Sequence, residues 1–227
     1  MIIYFPTTER SCFKMSEIKI IVIEDEDFTR FTLIETLKAS GFNVVADAKN
    51  AGLGISRAIE FRPDVALIDL DLGKGPTGID LSLSLRKSFP EIGIVFLTSY
   101  KDPRLLRSSL PELPAGSIFL LKQDVVNTEQ LAFKIKEAAT QKNIHNEKYE
   151  ALESDFTDSQ IETLKLLAQG LSNSEIAKKR FVTEKAVEVT IARLAKKFDV
   201  AYDAALNQRV ILANKVFSLT GKNKDEK

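Results

Sequence analysis

Four short apolar runs in this chain carry polar residues of complementary kinds at their ends. IKIIVIED delivers Glu24 and Asp25, VALIDL delivers Asp69, GIVFLT delivers Thr98 and SIFLLK delivers Lys122. In an open parallel sheet, ligands bind outside the carboxyl ends of the strands. If the four runs are such strands, three carboxylates, a hydroxyl and an ammonium converge at one place. The carboxylates are hard oxygen ligands suited to Mg2+. Asp69 has the chemistry of a nucleophile that accepts a phosphoryl group, since carboxylates form acyl phosphates. A cation and Lys122 would neutralise charge on the transferring group, and Thr98 would donate a hydrogen bond to it.

The elements that must position these residues are legible from Glu17 to about Ala138. Ile18–Ile23 is a buried-type apolar run, followed by Phe28, Phe31, Ile34 and Leu37 at helical spacing up to Ser40-Gly41. Phe42–Ala46 reads as a second strand, Ala51–Phe61 as a helix closed by Arg62-Pro63, and Val65–Ile68 as a third strand. The loop GKGPTG precedes a helix from Ile79 to Ser88. Ile92–Leu97 is the fourth strand, Pro103–Ser108 a short helix, Ile118–Leu121 the fifth strand and Thr128–Ala139 the closing helix. Alternation of this kind predicts a doubly wound, five-stranded parallel sheet covered on both faces.

The rest reads differently. QKNIHNEKYEALESD is polar, lacks an apolar stripe and reads as a linker, with His145 solvated in it. From Phe156 on, helix signals repeat. Thr157 with Gln160, and Ser172 with Glu175, have capping-box spacing. Gly170 is a helix stop. Thr183 caps a third helix running to Phe198, and a fourth follows from about Asp203 to Leu219, with Gly221 as its stop. Two short helices joined by the tight turn Arg180–Thr183 form a helix-turn-helix signature.

Composition sets outer bounds. A length of 227 residues fits one large domain or two modest ones. A hydrophobic fraction of 44% and a charged fraction of 28% are those of a water-soluble globular chain. No apolar run approaches the roughly 20 residues that span a bilayer. Net charge is zero, so the whole chain does not advertise a nucleic-acid partner; residues 16–138 carry 18 acidic and 15 basic side chains and residues 155–220 carry 8 and 10, an asymmetry too mild to decide anything. The single Cys12 rules out an internal disulfide framework. Residues 1–16 read as a disordered arm or a mis-assigned start, with residues 1–14 lying before a true start at Met15; a strand from Ile2 to Phe5 is the alternative. Residues 221–227 read as a disordered tail.

The motifs PDVALIDLDL, FLTSY and IFLLK, in that order, resemble those of a response-regulator receiver domain. The resemblance spans residues 17–138 and implies the flavodoxin-like form of the sheet. It implies Asp69 as phosphoacceptor, and Glu24, Asp25, Asp69 and the Asp71 backbone carbonyl as Mg2+ ligands. Thr98 and Lys122 become phosphoryl contacts, and Phe119 the switch aromatic that follows the hydroxyl residue. The pattern departs in three places, one being that no Pro follows Lys122, which excludes a cis X-Pro bond there. The loop from Asp69 to Gly78 is about one residue longer than the family norm, and the stretch from Thr98 to Lys122 about two longer, with Pro111 and Pro114 in it. Prolines there shorten the fourth helix. ALIDLDLGKG is also similar to the signature of haloacid-dehalogenase-type phosphatases, in which Asp69 would be nucleophile and Asp71 acid/base. Those enzymes take their metal acids from downstream of the lysine, whereas the acidic pair here lies upstream.

FTDSQIETLKLLAQGLSNSEIAKKRFVTEKAVE resembles the LuxR-type helix-turn-helix of the NarL/FixJ class of response regulators, across residues 155–220. The third helix would then enter the major groove. Its core face is Val187, Ile191, Leu194 and Phe198. Thr183, Lys185, Arg193, Lys196 and Lys197 would contact phosphates, while Val189 and Ala192 reach thymine methyls. The basic run Lys178-Lys179-Arg180 is a helix end that also approaches phosphate. Glu188 stands where the family carries a basic residue. Three readings stay open: Glu188 accepts from cytosine N4, it pairs with Lys185 on the surface, or the helix binds protein. Leu206, Val210, Ala213 and Phe217 form a stripe on the last helix, which in the family supplies the dimer contact and otherwise packs on its own domain.

Together these features predict a receiver domain (17–138), a linker (139–154) and an all-α, four-helix DNA-binding domain (155–220). The resemblance implies a cytoplasmic transcription regulator rather than an enzyme. It would use Mg2+, accept phosphate from a sensor histidine kinase, bind double-stranded DNA as a homodimer and have no membrane partner. A phospho-switched protein-interaction module is the rival reading.

Overall fold

The computed structural model describes residues 17–107, 110–125, 127–140, 156–200 and 207–220. The expected arm at residues 1–16, most of the linker, the start of the last helix with Leu206, and the tail after Thr220 lie outside them.

Five strands, β1 (Lys19–Ile23), β2 (Asn43–Ala48), β3 (Val65–Ile68), β4 (Gly93–Thr98) and β5 (Ile118–Leu121), form one sheet in the order β2-β1-β3-β4-β5. Every pairing is parallel. The central strands β3 and β4 are buried throughout, as a sheet covered on both faces requires. α1 (Asp27–Ala39) and α4 (Thr128–Thr140) cover one face; α2 (Ala51–Phe61) and α3 (Gly78–Ser88) cover the other. The chain leaves β1 for β2 on one side and pairs β1 with β3 on the other, so strand order reverses at β1 and β3. The carboxyl ends of those two strands are the expected ligand crevice.

Two expectations are corrected. The short helix at 103–108 is a single 3-10 turn, Pro103–Leu105, and no α-helix lies between β4 and β5 among the described residues. The turn is fixed by the Asp102 carboxylate, which accepts from the Arg104 backbone N–H at 2.9 Å. The apolar series on α1 is not one buried stripe either. Leu37 is buried, but Phe28 and Phe31 are 76% and 63% exposed. α1 starts beyond the end of β1, so its first turn overhangs the sheet.

The helical part comprises α5 (Asp158–Ala168), α6 (Asn173–Arg180), α7 (Glu184–Lys197) and α8 (Gln208–Thr220). Thr157 and Gln160 close a full capping box. At α6 only half of the expected box forms. Ser172 accepts from the Glu175 N–H at 3.2 Å, while the Glu175 carboxylate turns to Lys178 at 3.1 Å. Ile161, Leu164, Leu167, Ile176, Val187, Leu194, Leu212 and Val216 form the buried core of this part. On α8 that core uses Leu212 and Val216. The expected stripe lies on a neighbouring face, with Val210 exposed and Ala213 and Phe217 half-buried. No helix among the described residues is long and apolar enough to cross a membrane.

Candidate phosphoacceptor pocket and recognition helix

β1 and β3 end side by side, and their pairing runs through Ile23 and Ile68. The next residues on each strand are Glu24 and Asp69, so the parallel register itself sets two carboxylates next to each other. Both are buried, Glu24 to 2% and Asp69 to 7% exposure, while Asp25 opens to solvent. Carboxylate oxygens of Glu24, Asp25 and Asp69 all lie within 4.8 Å of one another. Lys122, just past β5, reaches across the sheet end. Its Nζ donates to Glu24 Oε2 at 2.7 Å and to Asp69 Oδ2 at 2.9 Å.

The electrostatics show a pocket short of positive charge. Burial, and then the charge of Asp69, push the Glu24 carboxyl up to about 7 against the pull of Lys122. Burial, then Asp71 and Asp69, also raise Asp25. Burial alone would lower Lys122, but Asp69 and Glu24 outweigh it and hold the ammonium above its ordinary range. One ammonium thus serves three crowded carboxylates. Small hard oxygen donors at this spacing fit a divalent cation of the Mg2+ kind.

Thr98 is fully buried at the end of β4, and its hydroxyl oxygen accepts from the Tyr100 N–H at 3.3 Å. Phe119 is half-buried on β5, its ring centre 6.3 Å from that of Phe96. The Asp71 side chain accepts from the Gly73 N–H at 3.2 Å and from the Tyr100 hydroxyl at 2.9 Å.

Three residues of the pocket escaped the sequence pattern. Tyr100 is one. Arg30 is another: it donates to the Glu24 carbonyl at 2.8 Å, to Asp47 at 3.0 Å and to Asp27, which clamps the acidic loop onto β2. Gly78 opens α3 so close to the pocket that a Cβ there would sit 2.0 Å from the Asp69 carbonyl oxygen. The glycine of the GKGPTG loop was the available signal; its partner was not.

In the helical part, α7 displays the expected face. Lys185, Glu188, Val189, Ala192, Arg193 and Lys196 are exposed, opposite buried Val187, Ile191 and Leu194. Thr183 caps the helix by accepting from the Ala186 N–H at 3.2 Å. Lys185 and Glu188 form an ion pair at 3.1 Å. Lys197 lies elsewhere, its ammonium 4.7 Å from the Phe156 ring centre. Arg180 is mostly buried and sews α6 to α5 through Glu162, Thr163 and Ser159.

The two parts touch at the 3-10 turn. The Arg104 guanidinium bonds Asp102, the Asp158 carboxylate at 2.5 Å and the Phe156 carbonyl at 2.7 Å. The Lys101 N–H donates to the Leu219 carbonyl at 3.0 Å.

Comparison with known proteins agrees with this geometry. Residues 20–122 match the response regulator receiver domain, and residues 154–209 match the bacterial regulatory proteins of the luxR family. The transcriptional regulatory protein LnrK of Bacillus subtilis is 29% identical over 205 residues, covering 81% of this chain and 91% of LnrK. The DNA-binding transcriptional activator DevR/DosR of Mycobacterium tuberculosis is 29% identical over 196 residues, covering 79% and 88%. Among solved structures, the response regulator RcsB in a DNA complex shares the fold with a TM-score of 0.52 at 21% identity, over 89% of this chain and 98% of that one. Nothing in these likenesses supports the phosphatase reading. Receiver and luxR-family matches together span well over half of the sequence, and the chain belongs to the response regulators that join a receiver domain to a LuxR-type DNA-binding domain.

Proposed function

We propose that Asp69 is the phosphoacceptor and that its phosphorylation switches DNA binding by the helical part. The observation that carries this is the Lys122 ammonium bridging the buried Glu24 and Asp69 carboxylates, with Asp25 beside them. An Asp69 carboxylate oxygen attacks phosphorus of the donor, a sensor kinase phosphohistidine. The phosphorus–nitrogen bond breaks, an acyl phosphate forms on Asp69 and the imidazole leaves with a proton. Mg2+, held by Glu24, Asp25, Asp69 and the Asp71 carbonyl, would draw charge off the phosphoryl oxygens. Lys122 does the same from the other side, and Thr98 donates its hydroxyl to a phosphoryl oxygen. Phe119 follows Thr98.

The output is α7 in the major groove, with Thr183, Lys185, Arg193 and Lys196 on phosphates and Glu188, Val189 and Ala192 at base edges. Lys197 contributes positive field from the side of the groove. The outward stripe of Val210, Ala213 and Phe217 suits a homodimer contact, because α8 already packs on its own domain through other residues. The working units are residues 17–138 and 155–220 joined by a linker, acting in the cytoplasm.

The test is incubation of the purified chain with phosphoramidate and Mg2+, read by the mass of an added phosphoryl group. Wild type is expected to gain the group and Asp69→Ala to remain unlabelled. Labelling that survives in Asp69→Ala would remove Asp69 from the role.

A further inference from the structure

We propose that Tyr100 is a positioning residue of the pocket, whose hydroxyl holds the Asp71 carboxylate outside the ion site formed by Glu24, Asp25 and Asp69. The inference rests on the reading of Asp69 as a phosphoacceptor beside a divalent cation.

Asp71 lies two residues after Asp69, at the mouth of the same pocket, and its charge is already felt at Asp25. Yet its carboxylate does not join the three whose oxygens cluster within 4.8 Å. Both of its oxygens are engaged elsewhere. Oδ1 accepts from the Gly73 N–H at 3.2 Å and Oδ2 from the Tyr100 hydroxyl at 2.9 Å. The second bond is the firm one, because Tyr100 is only 5% exposed and packs in the apolar cluster that holds Leu105 and, at its edge, Phe119. Its own N–H is fixed on Thr98. Turning Asp71 inward would break its hydrogen bond to a mostly buried side chain, which is unfavourable.

A fourth carboxylate in the site would act in two directions. It would bind a dication more tightly, since each added anionic oxygen donor strengthens a hard-cation site. It would also repel the anionic phosphoryl donor and the acyl phosphate formed on Asp69. Tyr100 therefore trades cation affinity for phosphoryl transfer.

The experiment uses the full chain and four forms: wild type, Tyr100→Phe, Asp71→Asn and the double variant. Mg2+ affinity is read by titration calorimetry, and phosphorylation by phosphoramidate at saturating Mg2+ is read by mass. Tyr100→Phe is expected to bind Mg2+ about tenfold tighter and to accept phosphate about tenfold more slowly, the effect of a single displaced charge. The double variant is expected to lose both changes and to match Asp71→Asn. An unaltered Mg2+ affinity in Tyr100→Phe overturns the proposal. So does an effect that persists once Asp71 is neutral, because simple loss of packing would not depend on the Asp71 charge. The underlying assignment fails separately, through an unlabelled wild type or a labelled Asp69→Ala.

Discussion

Arg104 donates to the Phe156 carbonyl oxygen at 2.7 Å, 52 residues away in sequence. This bond and the companion contact to Asp158 tie the end of β4 to the first turn of α5. The same guanidinium neutralises Asp102, which is only 7% exposed. One side chain, six residues after Thr98, thus bonds both the sheet domain and the helical domain, beside the Lys101–Leu219 backbone bond.

Arg104→Ala is expected to loosen that junction. The bond to Asp158 is worth little, since that carboxylate is exposed. The larger cost is the loss of the Arg104 side-chain bonds to the buried Asp102 carboxylate, about 2 kcal/mol. Small-angle scattering should show a larger radius of gyration, and hydrogen exchange should speed up in the first turn of α5. Arg104→Lys is expected to behave almost as poorly, because a single ammonium cannot serve Asp102, Asp158 and a carbonyl as a planar fork does. An unchanged scattering profile in both variants would show that the Lys101–Leu219 bond and the apolar contacts hold the junction without Arg104.

The acidic pocket should leave a mark on stability against pH. Glu24 titrates at about 7 in the fold, above its ordinary value of 4.5, chiefly because it is buried and then because Asp69 is beside it. The folded state therefore holds a proton that the unfolded chain releases, so the contribution of Glu24 is fully present below about 4.5 and is lost as pH rises through 7. Asp25 shifts in the same direction. Lys122 titrates too high to matter between roughly pH 5 and 8. Without divalent cations, the melting temperature of wild type relative to Glu24→Gln should fall by several degrees over that range. The underlying linkage is up to about 3 kcal/mol. Mg2+ should restore wild type at the alkaline end and do less at the acid end, where Glu24 holds a proton that competes with the cation. Parallel melting curves for the two proteins across pH would contradict the shift at Glu24.

The pocket was legible in the sequence because a parallel sheet converts position along each strand into position in space. Glu24, Asp69 and Lys122 each end or follow a strand, and the sheet brings them together. Tyr100 and Arg104 were not legible. Their partners lie 29 and 52 residues away and depend on how a loop turns, which no periodicity encodes. Phe28 and Phe31 show the opposite failure. Their spacing correctly gives a helix, but the spacing does not say where the sheet stops, and α1 overhangs it. In the helical part, the caps at Thr157 and Thr183 were readable because they are local. Arg180 was read as a phosphate-seeking cation, and the fold uses it to join α5 and α6 instead.

Glu188 is the residue of α7 whose role a measurement can separate most cleanly. It pairs with Lys185 at 3.1 Å, with both side chains at least half exposed. Such a pair contributes roughly 0–1 kcal/mol and cannot be what keeps the helix folded. In the groove its carboxylate can accept from a cytosine N4 amine, while off DNA it masks one lysine. Glu188→Ala should therefore change base preference in a selection from random sites more than it changes overall affinity. Removing the acid also frees Lys185 for a phosphate, so the salt dependence of binding should steepen by about one unit in the log–log slope. The Lys185→Ala, Glu188→Ala pair should keep the altered preference and lose the steeper slope. A slope that rises with no change in preferred bases would place Glu188 against the phosphates rather than the base edges.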